Sequence, residues 1–244
     1  MTEKSDRLIL LPLYVPTRAL SWVAGTMFLL AAAVSWTAAG YHLGEVQTFL
    51  QIQQGIGLEP AEQVAHEKVG ETLRILQIVS AALVATAFLA WLYQVRCNLR
   101  AFGLRRLRFG REWAVLGFLV PGLNLVRPHQ FVNEVWRGSF SQGRGPVAWQ
   151  SASTSRLVTA WWGTLLAWIS IELFTAVMLH FSNGVANLQL AYGLAIGGDT
   201  FAALSASFGY LLVSKMQAAQ ESKAKHFDRG DEAETSMLSG QAVA

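Results

Sequence analysis

Charge is what this chain has least of. Only 14% of its 244 residues are Asp, Glu, Lys or Arg, where about a quarter is usual for a soluble domain, while 52% are hydrophobic. That leaves too few polar side chains to coat a water-soluble surface of this size, and a membrane class follows. Cysteine is nearly missing as well: Cys97 stands alone, which excludes an intrachain disulfide. No Gly-rich phosphate loop, Ser-His-Asp order or nucleotide motif occurs. No unit of about 20 to 50 residues repeats, and no long apolar stretch carries the central His that haem ligation would need. The net charge of +3 is too small to argue for nucleic acid. Neither a cofactor nor a catalytic residue is expected; the balance is toward a non-enzyme, with the question left open.

Long apolar runs are what it does have. A hydrocarbon core of about 30 Å takes roughly 20 helical residues to cross, and four stretches qualify: 19–39, 75–93, 157–179 and 190–213. Trp22, Trp36, Trp91, Tyr93, Trp161, Trp162 and Tyr210 lie near their ends, where amphipathic rings prefer the interface. The first run ends in the small residues Thr37, Ala38, Ala39 and Gly40 but exceeds the roughly 7 to 15 apolar residues of a cleaved signal. It reads as a retained signal anchor.

Basic residues are retained on the cytoplasmic side during insertion, so their distribution gives a topology. Lys4, Arg7 and Arg18 precede the first span and put the N-terminal segment, 1–18, inside. The loop 40–74, with five Glu against Lys68 and Arg74, goes outside. Within it, Pro60 suits a helix N1 position, and Val64, Val69, Leu73 and Leu76 continue at helical spacing, so the second span extends outward as one long helix. The segment 114–126 is apolar, only 13 residues long and interrupted by Pro121-Gly122. If it re-enters or lies at the interface, 17 of the 19 basic residues are inside and two outside; if it crosses, the split is nine to ten. The charge rule selects the first. The expected architecture is all-α and multi-pass: a membrane domain over 19–214, four transmembrane helices, a re-entrant or interfacial Pro-Gly segment, an outer turn at Ser182-Asn183-Gly184, and both termini inside. The tail, 215–244, is polar and mixed in charge, and disorder is expected there.

Residues 88–139 read FLAWLYQVRCNLRAFGLRRLRFGREWAVLGFLVPGLNLVRPHQFVNEVWRGS. Val95, Leu99 and Phe102 share one helical face and Arg96 and Arg100 another, with Gly103 as a C-cap, so Arg96, Arg100, Arg105, Arg106 and Arg127 are expected to face anionic headgroups. Pro121 and Gly122 release backbone groups that protein or water has to satisfy at membrane depth, a role suited to Asn124. After Pro128, Phe131, Val132, Val135 and Trp136 form an apolar stripe opposite Gln130, Asn133, Glu134 and Arg137, the pattern of an interfacial helix or partner surface. The stretch resembles the bacterial membrane family known as domain of unknown function 4328. The likeness is carried by Trp91, Tyr93, Arg96, Asn98, Ala101, Gly103, Phe109, Trp113, Pro121, Asn124, Leu125, Pro128, Gln130, Glu134 and Trp136. It implies a multi-pass protein of the bacterial cytoplasmic membrane and carries no activity over.

Glu172 and Asp199 are the only acids inside the four runs, and an ionisable group in hydrocarbon costs several kcal/mol unless partnered or wet. Counting from the hairpin between the last two runs brings them to similar depth. Asp199 shares its helix with Gly193, Ala195, Gly197, Ala202, Ala203 and Ala206, small residues suited to close helix packing. His42 with Glu45, and Glu62 with His66, have helical spacing on the outer side, but lacking a third fixed ligand they read as solvated residues rather than a metal site. His129, in the Pro128 turn, reads as a headgroup or backbone contact. Three functions fit: an accessory or scaffold subunit of a membrane assembly, ranked first; a small ion, proton or solute channel or transporter using Glu172 and Asp199; and a membrane enzyme acting on lipid. Expected partners are anionic headgroups on the cytoplasmic side and a protein partner or second copy.

Overall fold

The computed structural model describes residues 13–55, 59–141, 147–181 and 185–241, with the side chains of 148, 185–189 and 228–241 excepted. Lys4, Arg7, Arg144 and the Ser182-Asn183-Gly184 turn lie outside the described residues. Among those described, the chain is all-helical: α1 (Arg18–Gln53), α2 (Pro60–Ala101), α3 (Trp113–Leu119), α4 (Arg127–Phe140), α5 (Arg156–Phe181) and α6 (Val185–Gln241), with 3₁₀ turns at Leu123–Leu125 and Ala148–Ser151. Four of these helices, α1, α2, α5 and α6, are long and apolar enough to cross a membrane.

Local chemistry explains the boundaries. At the start of α2, Pro60 needs no hydrogen-bond partner at N1, and the Glu62 carboxylate accepts from the Glu59 N–H at 3.3 Å, half of a capping box. The segment 40–74 is therefore mostly helix: α1 runs on to Gln53, and α2 begins at Pro60. Gly103, with φ +74°, ends α2 as a Schellman cap. Its N–H donates to Arg100 O at 3.0 Å and the Leu104 N–H to Leu99 O at 3.2 Å. Ser155 Oγ caps α5 by accepting from the N–H groups of Leu157 and Val158.

The chain divides into two compact units. The first comprises Met1–Arg18, Trp91–Thr154 and Lys215–Ala244. Its core holds Trp91, Leu92, Val95, Leu99, Leu104, Phe131, Val132, Val135 and Met216, all nearly fully buried. Two expectations change here. The tail is helical where disorder is expected from 215 onward: α6 continues to Gln241, and Met216, Gln217 and Gln220 are buried, with Gln220 Nε2 donating to Val95 O and Ser139 Oγ at 3.1 Å each. A polar composition does not prevent ordering when its Gln side chains find buried acceptors. The second is α4, which offers no free stripe: Phe131, Val132 and Val135 are buried, and so are Asn133 and Glu134 from the side expected to face water.

The second unit comprises Ala19–Ala90 and Ser155–Ser214. Its small residues pack within the chain. Phe28 of α1 lies directly against Gly209 of α6, where a Cβ would collide with the ring, and Gly25 faces Tyr210. Phe28, Phe88 and Trp161 form a chain of rings with centroids 5.6 and 5.4 Å apart. Ala202, Ala203 and Ala206 are buried, as close helix approach requires.

Candidate functional site

In the first unit the polar groups converge on the loop between α2 and α3. The peptide of Phe109 is held from both sides: its N–H donates to Glu134 Oε1 at 3.2 Å, and its carbonyl accepts from the Arg96 guanidinium. Glu134 Oε2 also accepts from the Arg108 N–H at 2.7 Å. Arg96 Nε lies 4.0 Å from Glu134 Oε1, and both side chains are nearly fully buried. Burial pushes the Glu134 carboxyl above its ordinary range, against the two backbone N–H donors and Arg96, which favour the charged form. Arg96 is therefore no headgroup contact. A buried guanidinium needs acceptors and a counter-charge; the Phe109 carbonyl supplies an acceptor and Glu134 the charge, while Nε makes no hydrogen bond among the described residues.

Asn98, one helical turn nearer the loop from Gln94, ties down the chain ahead of α1. Its side chain accepts from the Val15 N–H at 3.2 Å and donates to Val15 O at 2.9 Å. Lys223 of α6 donates to Gly138 O, Ser141 O and Ser141 Oγ at 3.0, 3.1 and 2.8 Å, capping the carbonyl end of α4.

Arg100, Arg105 and Arg106 are exposed, and Arg127 is half-buried beside the rings of Phe109 and Trp113. Gln130 accepts from Arg127 at 3.4 Å, and Trp113 stacks edge-on to Phe109. Pro121 and Gly122 are exposed in the turn after α3, with Gly122 at φ +79°. Asn124 closes that turn through its main chain, its N–H donating to Val120 O at 2.9 Å. Its side chain, expected to do so, makes no hydrogen bond among the described residues. Pro128 is buried in the first turn of α4, and His129 shares its ring nitrogen with Asn133.

The second unit contains the acids. Asp199 is 3% exposed, and both carboxylate oxygens are engaged: Oδ2 by His42 Nδ1 at 2.7 Å and Oδ1 by Gln77 Nε2 at 2.6 Å. The carboxylate thus joins α1, α2 and α6. Glu172 is elsewhere in character. It is exposed on α5, accepts from Trp168 Nε1 at 3.3 Å, and abuts Gly198, whose Cβ would lie 3.1 Å from Glu172 Oε1. Glu172 and Asp199 are thus on neighbouring helices without sharing a hydrogen bond. Nearer the α1–α2 connection, Glu45 Oε1 meets His66 Nδ1 at 2.8 Å, and Tyr41 donates to His66 O at 2.8 Å.

Sequence spacing pairs His42 with Glu45 and Glu62 with His66; the fold pairs His42 with Asp199 and His66 with Glu45. Helical period finds neighbours on one helix, and these contacts run between helices. Among the described residues no three His, Cys, Asp or Glu side chains are grouped to hold a metal ion.

Against known families, the model of the domain of unknown function DUF4328 matches residues 55–218. Glu172, Asp199 and the whole Arg96–Glu134 cluster fall inside that range, and His42 falls before it. Neither a curated protein nor a solved structure gives a match.

Proposed function

The chain belongs to the DUF4328 family, and from that premise we propose that it is an accessory or scaffold subunit of an assembly in the bacterial cytoplasmic membrane. The observation that carries this reading is Asp199, whose two oxygens are both satisfied within the chain by His42 and Gln77. A buried acid with a donor from another helix on each oxygen fastens helices together. The wild-type protein in liposomes should therefore show no proton or ion flux above empty vesicles between about pH 5 and 8. Flux that Asp199→Asn abolishes would replace this reading with the second one.

That second reading, a proton or ion pathway, is favoured by Glu172 and by the outer pairs. Glu172 is a carboxyl within the apolar run of α5, next to Gly198 of α6, and an ionisable residue inside a membrane-crossing run is a candidate for an ion or proton path.

The N-in, C-in topology with a re-entrant 114–126 segment is part of the proposal, supported by the split of basic residues and by an α3 of seven residues, about 10 Å long and too short to cross. In a Cys97→Ser background, Gln54→Cys should react with an impermeant thiol reagent from outside. Arg106→Cys and Arg144→Cys should react only after permeabilisation. Outside labelling of Arg144→Cys would overturn the re-entrant assignment.

A further inference from the structure

The segment from α3 to the start of α4 presents its apolar side chains outward. Leu116, Leu119, Leu125 and Val126 are 45%, 66%, 56% and 53% exposed, and Val115, Val120 and Leu123 are exposed as well. The turn at Pro121-Gly122 is the tip of this wedge, and the φ of +79° at Gly122 folds the chain back there. A soluble surface scatters its large apolar residues, whereas here they are contiguous in a short segment.

The rim of the wedge is basic. Residues 104–127 include Arg105, Arg106, Arg108, Arg111 and Arg127 against a single acid, Glu112. None of the five arginines has a carboxylate within ion-pair distance among the described residues, where only Arg96 is so paired. Three of them lean on aromatic rings at the wedge base. Arg108 and Arg127 stand 5.3 and 5.7 Å from the Phe109 centroid, and Arg111 stands 5.7 Å from that of Tyr93. A guanidinium beside a ring keeps N–H groups for a phosphodiester, which it can grip with two bonds; Arg127 gives one of its N–H groups to Gln130 at 3.4 Å.

We propose that this wedge inserts into one leaflet and that Arg108, Arg111 and Arg127 hold the phosphates of anionic phospholipids around it. Apolar tip and unpaired cationic rim together match an anionic leaflet and no water-facing protein surface. The inference rests on the chain being membrane-embedded, and it is independent of whether the protein transports anything.

The test uses the full-length Cys97→Ser protein in nanodiscs of phosphatidylcholine, with or without phosphatidylglycerol. A nitroxide on Leu119→Cys should relax with oxygen and not with a water-soluble nickel chelate. Spin-labelled phosphatidylglycerol should be immobilised in preference to phosphatidylcholine. In the Arg108→Gln, Arg111→Gln, Arg127→Gln variant that preference should fall at least about fivefold, the factor one basic side chain near an anionic surface contributes. Arg108 and Arg111 are exposed and Arg127 is half-buried; an unchanged melting temperature checks that the variant folds, and the Arg108→Gln, Arg111→Gln pair, confined to exposed positions, should show the same direction of change. Nickel access at 119 overturns the insertion. Protection from both reagents overturns it as well, since the wedge is then covered by protein. Undiminished lipid preference in the triple variant overturns the headgroup assignment. Flux in liposomes, on which the accessory reading fails, enters none of these outcomes.

Discussion

The two units bury polar side chains by opposite means. In the first, charged and amide groups are satisfied largely by main chain: Arg96 by Phe109 O, Glu134 by two loop N–H groups, Asn98 by Val15, Lys223 by the end of α4. In the second, titratable side chains pair with one another: Asp199 with His42, Glu45 with His66. A side chain bonded to backbone fixes a loop or a helix end. A carboxylate bonded to an imidazole on another helix fastens one helix to the next, so the second arrangement sets how helices pack and the first sets the path of the loops.

The comparison is most sharply tested at Glu134. Glu134→Ala strips two loop N–H groups of their acceptor and leaves the Arg96 charge buried without its counterion, a loss of about 3–5 kcal/mol. Thermal unfolding in detergent should show a large drop, with Glu134→Gln losing less. An Ala variant that melts like wild type would mean that the cluster is not what holds the α2–α3 loop.

In the second unit, Asp199→Leu should cost about 1–3 kcal/mol, because Gln77 and His42 lose their acceptor together. Asp199→Asn keeps an acceptor for one of them and should cost less. A double-mutant cycle of Asp199→Asn with His42→Gln should be clearly non-additive, since the two share one hydrogen bond. Additive effects in that cycle would remove the contrast between the units.

The turn of the wedge gives an effect of about 1–2 kcal/mol. Gly122 adopts φ +79° with open space around its missing Cβ, so Gly122→Ala is penalised by backbone strain alone. If unfolding of this variant matches wild type, the turn is not held in that conformation.

Much of this fold is legible in the residues and most of the site is not. The four long helices follow from apolar length, and Pro60 and Gly103 mark where α2 begins and ends because each does something no other residue type does as well. The Pro121-Gly122 interruption is equally plain. Periodicity assigns a residue to a face, however, and not to a partner. Arg96 and Arg100 look alike along α2, yet Arg96 is 2% exposed and Arg100 is on the surface. The difference is made by Glu134 on another helix. His42 looks like a loop residue until α6 brings Asp199 beside it. The α6 extension looks like a polar tail because Gln217, Gln220 and Lys223 betray nothing of their partners: Gln217 accepts from Trp91, Gln220 donates to Val95 O, and Lys223 donates to Ser141.

The smallest expected effect concerns pH, because at Glu134 opposing influences leave a residue of their difference: burial raises the carboxyl above its ordinary range, while Phe109, Arg108 and Arg96 pull it down. A carboxyl whose folded pKa exceeds its unfolded value of about 4.3 favours folding in its protonated form. That contribution is complete below the unfolded value and is lost as pH rises through the folded one. Wild type should therefore lose stability relative to Glu134→Gln as pH is raised from about 4 toward neutrality, the amide having no proton to release. Melting temperatures of the two proteins across that range check the slope. A difference that is flat in pH, or that moves in favour of wild type, would mean that the loop N–H groups and Arg96 outweigh burial, and that the cluster holds a full carboxylate charge.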